Sequence, residues 1–261
     1  MSAEAKKIIK KKRQQKWFVL GSQIFLVIAF IGLWEILAFK KIINPFIFSS
    51  PSRIWQTLSE LALSGELWKH VWTTLYETLL AFGIGISLGL LIAILLYEIP
   101  ILAKIIDPFL TMLNSLPKVA LGPIIIIWAG ANIKSIIVMA LLINLIVSIL
   151  NIYNGFIGVD EIKIKLLKSF GAKRLQLLRY LILPESKRTI ISSLKINISM
   201  TLIGVIMGEF LVSKQGIGYL IIYGTQVFNL TLVMSGIVVL IILSFIIYEC
   251  ITLLEKKLSK K

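Results

Sequence analysis

The chain has 261 residues, of which 57% are hydrophobic and only 16% are charged, and its mean hydropathy is +0.91. Soluble domains are about 45–50% apolar, so this excess cannot be hidden in one core and indicates a lipid-embedded protein. A formal charge of +15 would suggest a nucleic-acid-binding protein if the chain were soluble. Here the basic residues lie beside the apolar runs, where they set the orientation of a protein in the membrane. No nucleic-acid partner is therefore expected. One cysteine and one histidine argue against a disulfide, a metal site or Cys/His catalysis.

Six apolar segments are long enough to cross a bilayer, which takes about 20 residues of helix. The predicted spans cover about 17–39, 73–97, 105–131, 135–158, 189–212 and 228–250. The third is interrupted by Pro117 with Lys118 and again by Gly122-Pro123. The first is longer than a signal-peptide core and no small-residue cleavage site follows it, so we expect it to be retained. We therefore predict an all-α, polytopic membrane protein with six transmembrane helices.

The last apolar run, 215–248, is too long for one crossing. Three glycines lie in its first third, at 216, 218 and 224. Irregular backbone at membrane depth survives only where it is buried in protein or lines a cavity. We therefore expect a short non-spanning segment near 216–224 that packs against a pore.

Basic residues are distributed unevenly between the two sides of these spans. With the N-terminus inside, the inner segments hold 20 Lys and Arg and the outer segments hold six. Cytoplasmic loops carry such an excess. This predicts a plasma-membrane protein with both termini cytoplasmic: a basic tail 1–16, a transmembrane domain 17–254 and a basic tail 255–261.

The outer loop between the first two spans contains a Ser-Pro-Ser signal at 50–52, which is typical of a helix start. The residues that follow place an apolar face at helical spacing, formed by Ile54, Trp55, Leu58, Leu61 and Ala62. We predict an amphipathic helix at the membrane interface, with a plain connecting loop as the alternative.

Small residues recur on one face of two spans. The second span has Ala81, Gly85, Gly89 and Ala93 at successive i+4 positions, and the fifth has Gly204 and Gly208. Such stripes let helix backbones approach closely. We expect them to serve packing within the chain, with a contact between two copies as the alternative.

The inner loop 159–188 carries eight basic residues and reads as a helix–Gly–helix hairpin. Asp160 is a helix-capping residue type, and Gly171 fits the left-handed position that ends a helix. Between them an apolar ridge recurs at helical spacing, formed by Ile162, Leu166, Leu167 and Phe170. A second amphipathic helix is expected to stop near Pro184. The ridge must be buried against the membrane surface or against another protein.

This loop resembles the coupling loop of ATP-binding-cassette (ABC) importer permeases, whose pattern is EAA-x3-G-x9-I-x-L-P. Gly171 is followed after nine residues by Leu181, Ile182, Leu183 and Pro184. An ordered series along the chain is similar to the nitrate, sulfonate and taurine branch of that family: Asp107-Pro108, Leu116-Pro117, Gly122-Pro123, Trp128 to Gly130, Asn151 with Gly155, Gly208-Glu209, and Gly216 to Tyr219. The family's Glu-Ala-Ala is replaced here by Lys165-Leu166-Leu167, which removes one polar contact expected with the ATPase.

The resemblance implies a type I importer permease in which the hairpin is the ATPase-coupling element. Its coupling residues would be Lys165, Leu166, Leu167, Ser169, Phe170, Gly171, Ala172, Leu183 and Pro184. The implied partners are two copies of an ATPase subunit, a second copy of this permease in a homodimer, an extracellular substrate-binding protein and membrane lipid. The chain has no G-x-x-x-x-G-K-[ST] loop, so no cofactor is expected in it, and ATP and Mg²⁺ would be bound by the ATPase.

Polar residues inside the spans are functional candidates by default. Glu35, Glu77 and Glu209 lie near predicted span ends, where we expect headgroup water to solvate them. Candidate gate and translocation residues are Asn144, Asn151, Asn197, Glu209, Gly216 and Gly218. A small anion such as a sulfonate or nitrate is the expected solute. A self-sufficient secondary transporter or a membrane-embedded enzyme is the alternative, although no clustered nucleophile, base or metal site is evident.

Overall fold

The computed structural model describes residues 3–259, with side-chain burial described for 14–257. Within this range the chain forms helices and no strands. The α-helices are α1 (Ala3–Phe39), α2 (Pro45–Phe48), α3 (Pro51–Leu63), α4 (Glu66–Glu98), α5 (Pro100–Ser115), α6 (Gly122–Ala129), α7 (Ile133–Ile157), α8 (Glu161–Ser169), α9 (Arg174–Leu177), α10 (Leu183–Val212), α11 (Ile217–Gln226) and α12 (Leu230–Ser259). A 3₁₀ turn, Lys118–Leu121, precedes α6, and a π-helical segment, Leu178–Ile182, joins α9 to α10.

Five helical segments are individually long and apolar enough to cross a membrane: Gln14–Phe39, Glu66–Glu98, Ile133–Ile157, Arg174–Val212 and Leu230–Lys257. A sixth span is possible only if α5 and the segment Lys118–Ala129 are counted together, and these are bent by 88°. The all-α polytopic fold class is thus confirmed. The short segment after the fifth span is also present, as α11.

The third predicted span, 105–131, is broken in the structure at the interruptions that its sequence contains. Prolines explain the break, because proline lacks an N–H and its ring disfavours helix before it. Pro100 begins α5, α5 ends before Pro117, and Pro123 lies in the first turn of α6. The chain crosses this region as two short helices at nearly a right angle.

The expected helix end near Pro184 is wrong. Pro184 lies in the first turn of α10, which continues to Val212. The preceding turn is π-helical, and the Leu183 N–H donates to the Leu178 carbonyl five residues back. We attribute the continuity to this wider turn, since it relieves the clash that a proline ring makes in a regular α-helix. The hairpin and the fifth span are therefore joined without a loop.

Helices α4, α7 and α10 form the centre of the fold, and small residues let their backbones meet. A Cβ atom added to Gly204 would lie 2.5 Å from the Cα of Ala140, and one added to Gly208 would lie 2.9 Å from the Cα of Ile136. On α4, a Cβ at Gly89 would lie 2.6 Å from the Cβ of Ser148. Both small-residue stripes thus serve packing within the chain, as predicted.

The amphipathic helix of the outer loop is confirmed as α3. Ser50 caps it, Ile54 is buried and Trp55 is exposed. The Glu35 carboxylate of α1 accepts hydrogen bonds from the backbone N–H and the hydroxyl of Ser52, at 3.0 and 2.8 Å. Glu35 thus joins α1 to the start of α3, although none of the apolar window of α1 is buried within the chain.

We predict that Gly204→Ala destabilises the folded chain, because the added methyl group meets the α7 backbone, and overpacking costs about 1–3 kcal/mol. Gly83→Ala is the matched control, since nothing lies within 4 Å of a Cβ there and alanine favours the helix. The measurement is the thermal unfolding midpoint in detergent. A Gly204→Ala midpoint at or above that of the parent chain would refute the close contact.

Candidate functional site

The first helix of the hairpin, α8, begins and ends where its sequence predicts. The Asp160 carboxylate accepts from the Ile162 N–H at 2.8 Å and so caps α8. At the other end Gly171 has φ +79°, a left-handed conformation that glycine adopts without strain. The N–H groups of Gly171 and Ala172 donate to the carbonyls of Lys168 and Leu167, at 2.9 and 3.1 Å. Both local predictions are confirmed.

Two polar contacts attach the hairpin to the spans. The Arg174 guanidinium donates to the Tyr97 carbonyl at 3.0 Å and pairs with the Glu98 carboxylate at 3.4 Å, at the C-terminal end of α4. A cation at this position also complements the helix dipole. On the other side, the Lys163 ammonium pairs with Glu185 of α10 at 2.8 Å, and this hydrogen bond raises the pKa of Lys163.

Apolar packing reinforces these contacts. Leu177, Leu178, Leu181 and Ile182 are buried with Phe156 at the inner ends of α4 and α7. Ile164, Leu167 and Ala172 pack against the same cluster. The inward face of the hairpin is therefore continuous with the core of the spans.

The opposite face of the hairpin is an exposed apolar ridge. It consists of Ile162, Leu166 and Phe170, which are 74%, 56% and 80% exposed and lie four residues apart along α8. Leu167 was expected on this ridge, but the helical turn directs it inward. Because the other exposed side chains of α8 are charged or polar, three large apolar side chains here indicate a binding surface.

The other predicted coupling residues lie around this ridge or behind it. Lys165 is exposed and pairs with Glu161 at 3.1 Å, and the Ser169 hydroxyl donates to the Leu166 carbonyl at 2.7 Å. Leu183 and Pro184 lie instead at the start of α10, and Leu183 packs against the inner core cluster. They are placed to support the hairpin from behind.

A buried polar network forms at the end of the spans opposite the hairpin, around the start of α11, and we call it the outer network after the predicted orientation. The first N–H groups of this helix have no partners within it. Side chains from α4 and α10 accept them: His70 Nδ1 from Gly216 at 3.0 Å, Thr74 Oγ1 from Ile217 at 2.8 Å, and Glu209 Oε2 from Gly218 at 2.5 Å. The Thr74 hydroxyl in turn donates to Glu209 Oε1 at 2.6 Å.

The two glycines of this network leave room for the Glu209 side chain. Gly216 has φ +107°, and a Cβ added to it would strike the Glu209 carboxylate. A Cβ added to Gly218 would lie 2.8 Å from the Glu209 Cβ. The three predicted residues Glu209, Gly216 and Gly218 are thus brought together. Headgroup water does not reach Glu209, which is 0% exposed, contrary to our expectation.

The three predicted asparagines lie elsewhere. Asn144 is buried, and its amide oxygen accepts from the Ser148 hydroxyl at 2.8 Å. Asn197 is also buried, within α10. Asn151 lines a pocket of about 540 Å³ at the inner ends of α7 and α10, with Asn154, Asp160, Glu185, Thr189, Ser192 and Ser193 among its other lining residues. The predicted translocation set is therefore divided between an outer network, the helix packing and an inner pocket.

Sequence reasoning missed His70 and Thr74, the α4 side chains that accept the first N–H groups of α11. His70, Thr74 and Glu77 lie four and three residues apart, which places them on one helix face at the start of a long apolar span. This polar stripe was a usable signal. The partner of Arg174 was also missed, because Glu98 is 76 residues away and no local pattern links them.

Comparisons with known proteins agree with this architecture. The family "Binding-protein-dependent transport system inner membrane component" matches residues 85–260. The putative aliphatic sulfonates transport permease SsuC of Bacillus subtilis is 28% identical over 97% of this chain and 91% of its own length. The taurine permease TauC of Escherichia coli is 24% identical over 95% and 94%, and the riboflavin permease RibX of Chloroflexus aurantiacus is 27% identical over 97% and 94%.

Among solved structures, an inward-facing form of the MetNI methionine ABC transporter matches with a TM-score of 0.66 and 21% identity, over 74% of this chain and 95% of that one. This likeness supports the fold. The family match covers more than half of the chain and sets aside the membrane-enzyme and secondary-transporter alternatives. The chain belongs to the binding-protein-dependent transport system inner membrane component family, and it is a multi-pass permease subunit of an ABC importer rather than an enzyme.

Proposed function

We propose that two copies of this chain form a homodimeric pore and that each copy binds one ATPase subunit through the Ile162, Leu166 and Phe170 ridge. The exposed ridge carries this proposal. Its apolar side chains stand on a short charged helix, and burial in a protein groove would remove them from water. The opposite face of the hairpin is fixed to α4, α7 and α10, so a force applied at the ridge acts directly on the spans.

ATP and Mg²⁺ belong to the partner ATPase in this proposal. The chain has no glycine-rich loop of the kind that cradles phosphates. Its part is mechanical: closure of the ATPase dimer moves the hairpins, and the helices that line the pathway change from inward- to outward-facing. Solute shifts this equilibrium only by binding one state better than the other.

The inner pocket and the outer network mark the two ends of the proposed pathway. The pocket lies beside the hairpin and offers amide and hydroxyl groups from Asn151, Asn154 and Ser192. The outer network holds the α11 segment against α4 and α10, which suits an external gate. The pocket and the network are both built on helices of the α4, α7 and α10 core. One rearrangement of these helices would therefore change the two ends of the pathway together.

We propose a sulfonate-type organic anion as the solute, delivered by an extracellular binding protein. The printed functions of the relatives support this class, since SsuC and TauC are named for aliphatic sulfonates and taurine. RibX is named for riboflavin, so a heterocyclic solute is the second candidate. The inner pocket offers either solute neutral amide and hydroxyl groups. Two carboxylates also line it: Glu185 is paired with Lys163, and Asp160 caps α8.

The hairpin is expected to be cytoplasmic and α11 extracytoplasmic, with both termini inside. The support is the charge bias: the hairpin loop alone holds eight basic residues, and both tails are basic. The hairpin and α11 lie at opposite ends of α4, which is consistent with this orientation. Arg174 of the hairpin meets Glu98 at one end, and His70 meets Gly216 at the other.

We predict that Phe170→Ala weakens binding of the ATPase subunit by about tenfold or more, because burying such a side chain contributes about 1.5–3 kcal/mol. The measurements are co-purification with the ATPase and ATP-driven uptake into proteoliposomes, with sulfonates and riboflavin as solutes. Leu113→Ala is the control, since Leu113 is exposed on α5, outside the hairpin. Full assembly and uptake with Phe170→Ala would mean that the ridge rests on the membrane instead.

We predict that, in a Cys250→Ser background, an impermeant thiol reagent added to sealed cells modifies Ser64→Cys but not Lys257→Cys. Both positions are exposed, and they flank opposite ends of the span series. Permeabilised cells provide the control, since both cysteines should then react. Modification of Lys257→Cys in sealed cells would reverse the proposed orientation.

A further inference from the structure

Two carboxyl groups meet inside the outer network. Glu77 of α4 and Glu209 of α10 are 3% and 0% exposed. Glu77 lies one turn along α4 from Thr74, whose hydroxyl donates to Glu209 Oε1 at 2.6 Å, and this places the two carboxyl groups next to each other. Two carboxylates in such contact cannot both be ionised, since like charges repel strongly where water is excluded. A hydrogen bond between two carboxyl groups also requires one of them to supply the proton, because ionised carboxylates only accept.

No cation offsets this pair. In the described part of the chain neither residue forms an ion pair with Lys or Arg, although five such pairs occur elsewhere. A buried charge without a partner is strongly unfavourable. Charge neutralisation must therefore come from a bound proton on one carboxyl group and from hydrogen-bond donors to the other.

The donors identify which carboxyl group is ionised. Glu209 accepts from the Thr74 hydroxyl and from the Gly218 N–H, which lies at the N-terminus of α11. These two donors stabilise an anion. Glu77 receives no such support, and its Oε2 atom is buried without a hydrogen-bond partner. The proton therefore resides on Glu77, which donates to Glu209.

We propose that Glu77 and Glu209 form a proton-binding site, in which a single proton carried by Glu77 fastens α4 to α10 and to the start of α11. The site takes no other ligand. It rests on the geometry of this chain alone and does not depend on the proposed solute or on the hairpin.

The groups around the pair are mostly uncharged. His70 of α4 accepts from the Gly216 N–H and stacks on the Tyr219 ring of α11, with 5.9 Å between centroids. Glu66, Lys69 and Lys214 lie around the adjoining outer pocket. The core clusters in which α3, α7 and α12 meet α4 and α10 are apolar, and they contain Leu58, Ile136, Ala140, Val239 and Leu243.

The direction of the pH effect follows from linkage. The folded pair holds a proton that two separated, solvated carboxyl groups would release at neutral pH. The folded state thus binds more protons than the unfolded state, and its stability falls as pH rises. Loss of the proton leaves two adjacent anions, which drives α4 away from α10 and α11. The outer segment should therefore loosen at alkaline pH.

Glu77→Gln and Glu209→Gln test the proposal, because they should differ sharply. A glutamine at 77 still donates to Glu209 through its amide, so this variant should fold normally at neutral pH and lose less thermal stability than the parent at alkaline pH. A glutamine at 209 is neutral and leaves fewer acceptors for Thr74, Gly218 and Glu77, so its unfolding midpoint should fall. Glu66→Gln, an exposed carboxyl group on the same helix, should behave like the parent chain.

Infrared spectroscopy of the purified chain in lipid gives a readout independent of stability and transport. The parent chain should show the carbonyl band of a protonated carboxylic acid at neutral pH, which disappears on alkaline titration and is missing from Glu77→Gln. Retention of that band in Glu77→Gln, or its absence from the parent chain, would overturn the proposal. So would Glu77→Gln and parent stabilities that fall in parallel with pH. If Glu77→Gln fails to fold, the alkaline titration of the parent band alone decides the question.

Discussion

The direct backbone contact of α4, α7 and α10 is the constraint on which the rest of this structure depends. Lipid tails are as apolar as leucine, so apolar side chains alone give these helices little reason to associate, and close van der Waals packing between small residues replaces that driving force. Gly204 lies against Ala140, Gly89 against Ser148, and Ala81 is fully buried. A larger side chain at any of these contacts would separate helices that bear polar groups at both ends.

Both functional regions are supported by this core. At the outer end it brings Glu77 of α4 next to Glu209 of α10, and Thr74 and Glu209 accept the N–H groups at the start of α11. At the inner end it positions the hairpin, through Arg174 on the last carbonyl groups of α4 and through a buried leucine cluster. The same helix, α4, thus carries one half of the outer network and one attachment point of the hairpin.

Much of this was predictable from sequence, and the failures have physical causes. Span number, the capped helix α3, the Asp160 cap and the left-handed Gly171 depend on local chemistry, which a sequence displays directly. The interruption of the third span at Pro117 and Pro123 is visible in the sequence, but the angle of 88° between its two halves is not. The stop at Pro184 failed because a π turn accommodates proline. Glu77 was assigned to headgroup water because sequence alone does not show that Glu209, 132 residues away, lies against it.

The central claim is that the hairpin drives the spans through its attachment to α4, and charge exchange at that attachment tests it most directly. In proteoliposomes containing the ATPase and the binding protein, Arg174→Glu and Glu98→Arg should each lower the solute imported per ATP hydrolysed while assembly is retained. The double variant Arg174→Glu/Glu98→Arg should recover most of that ratio, because the ion pair is restored with its charges exchanged. Single variants that keep the parent ratio would contradict the claim and show that motion reaches the pathway without this contact.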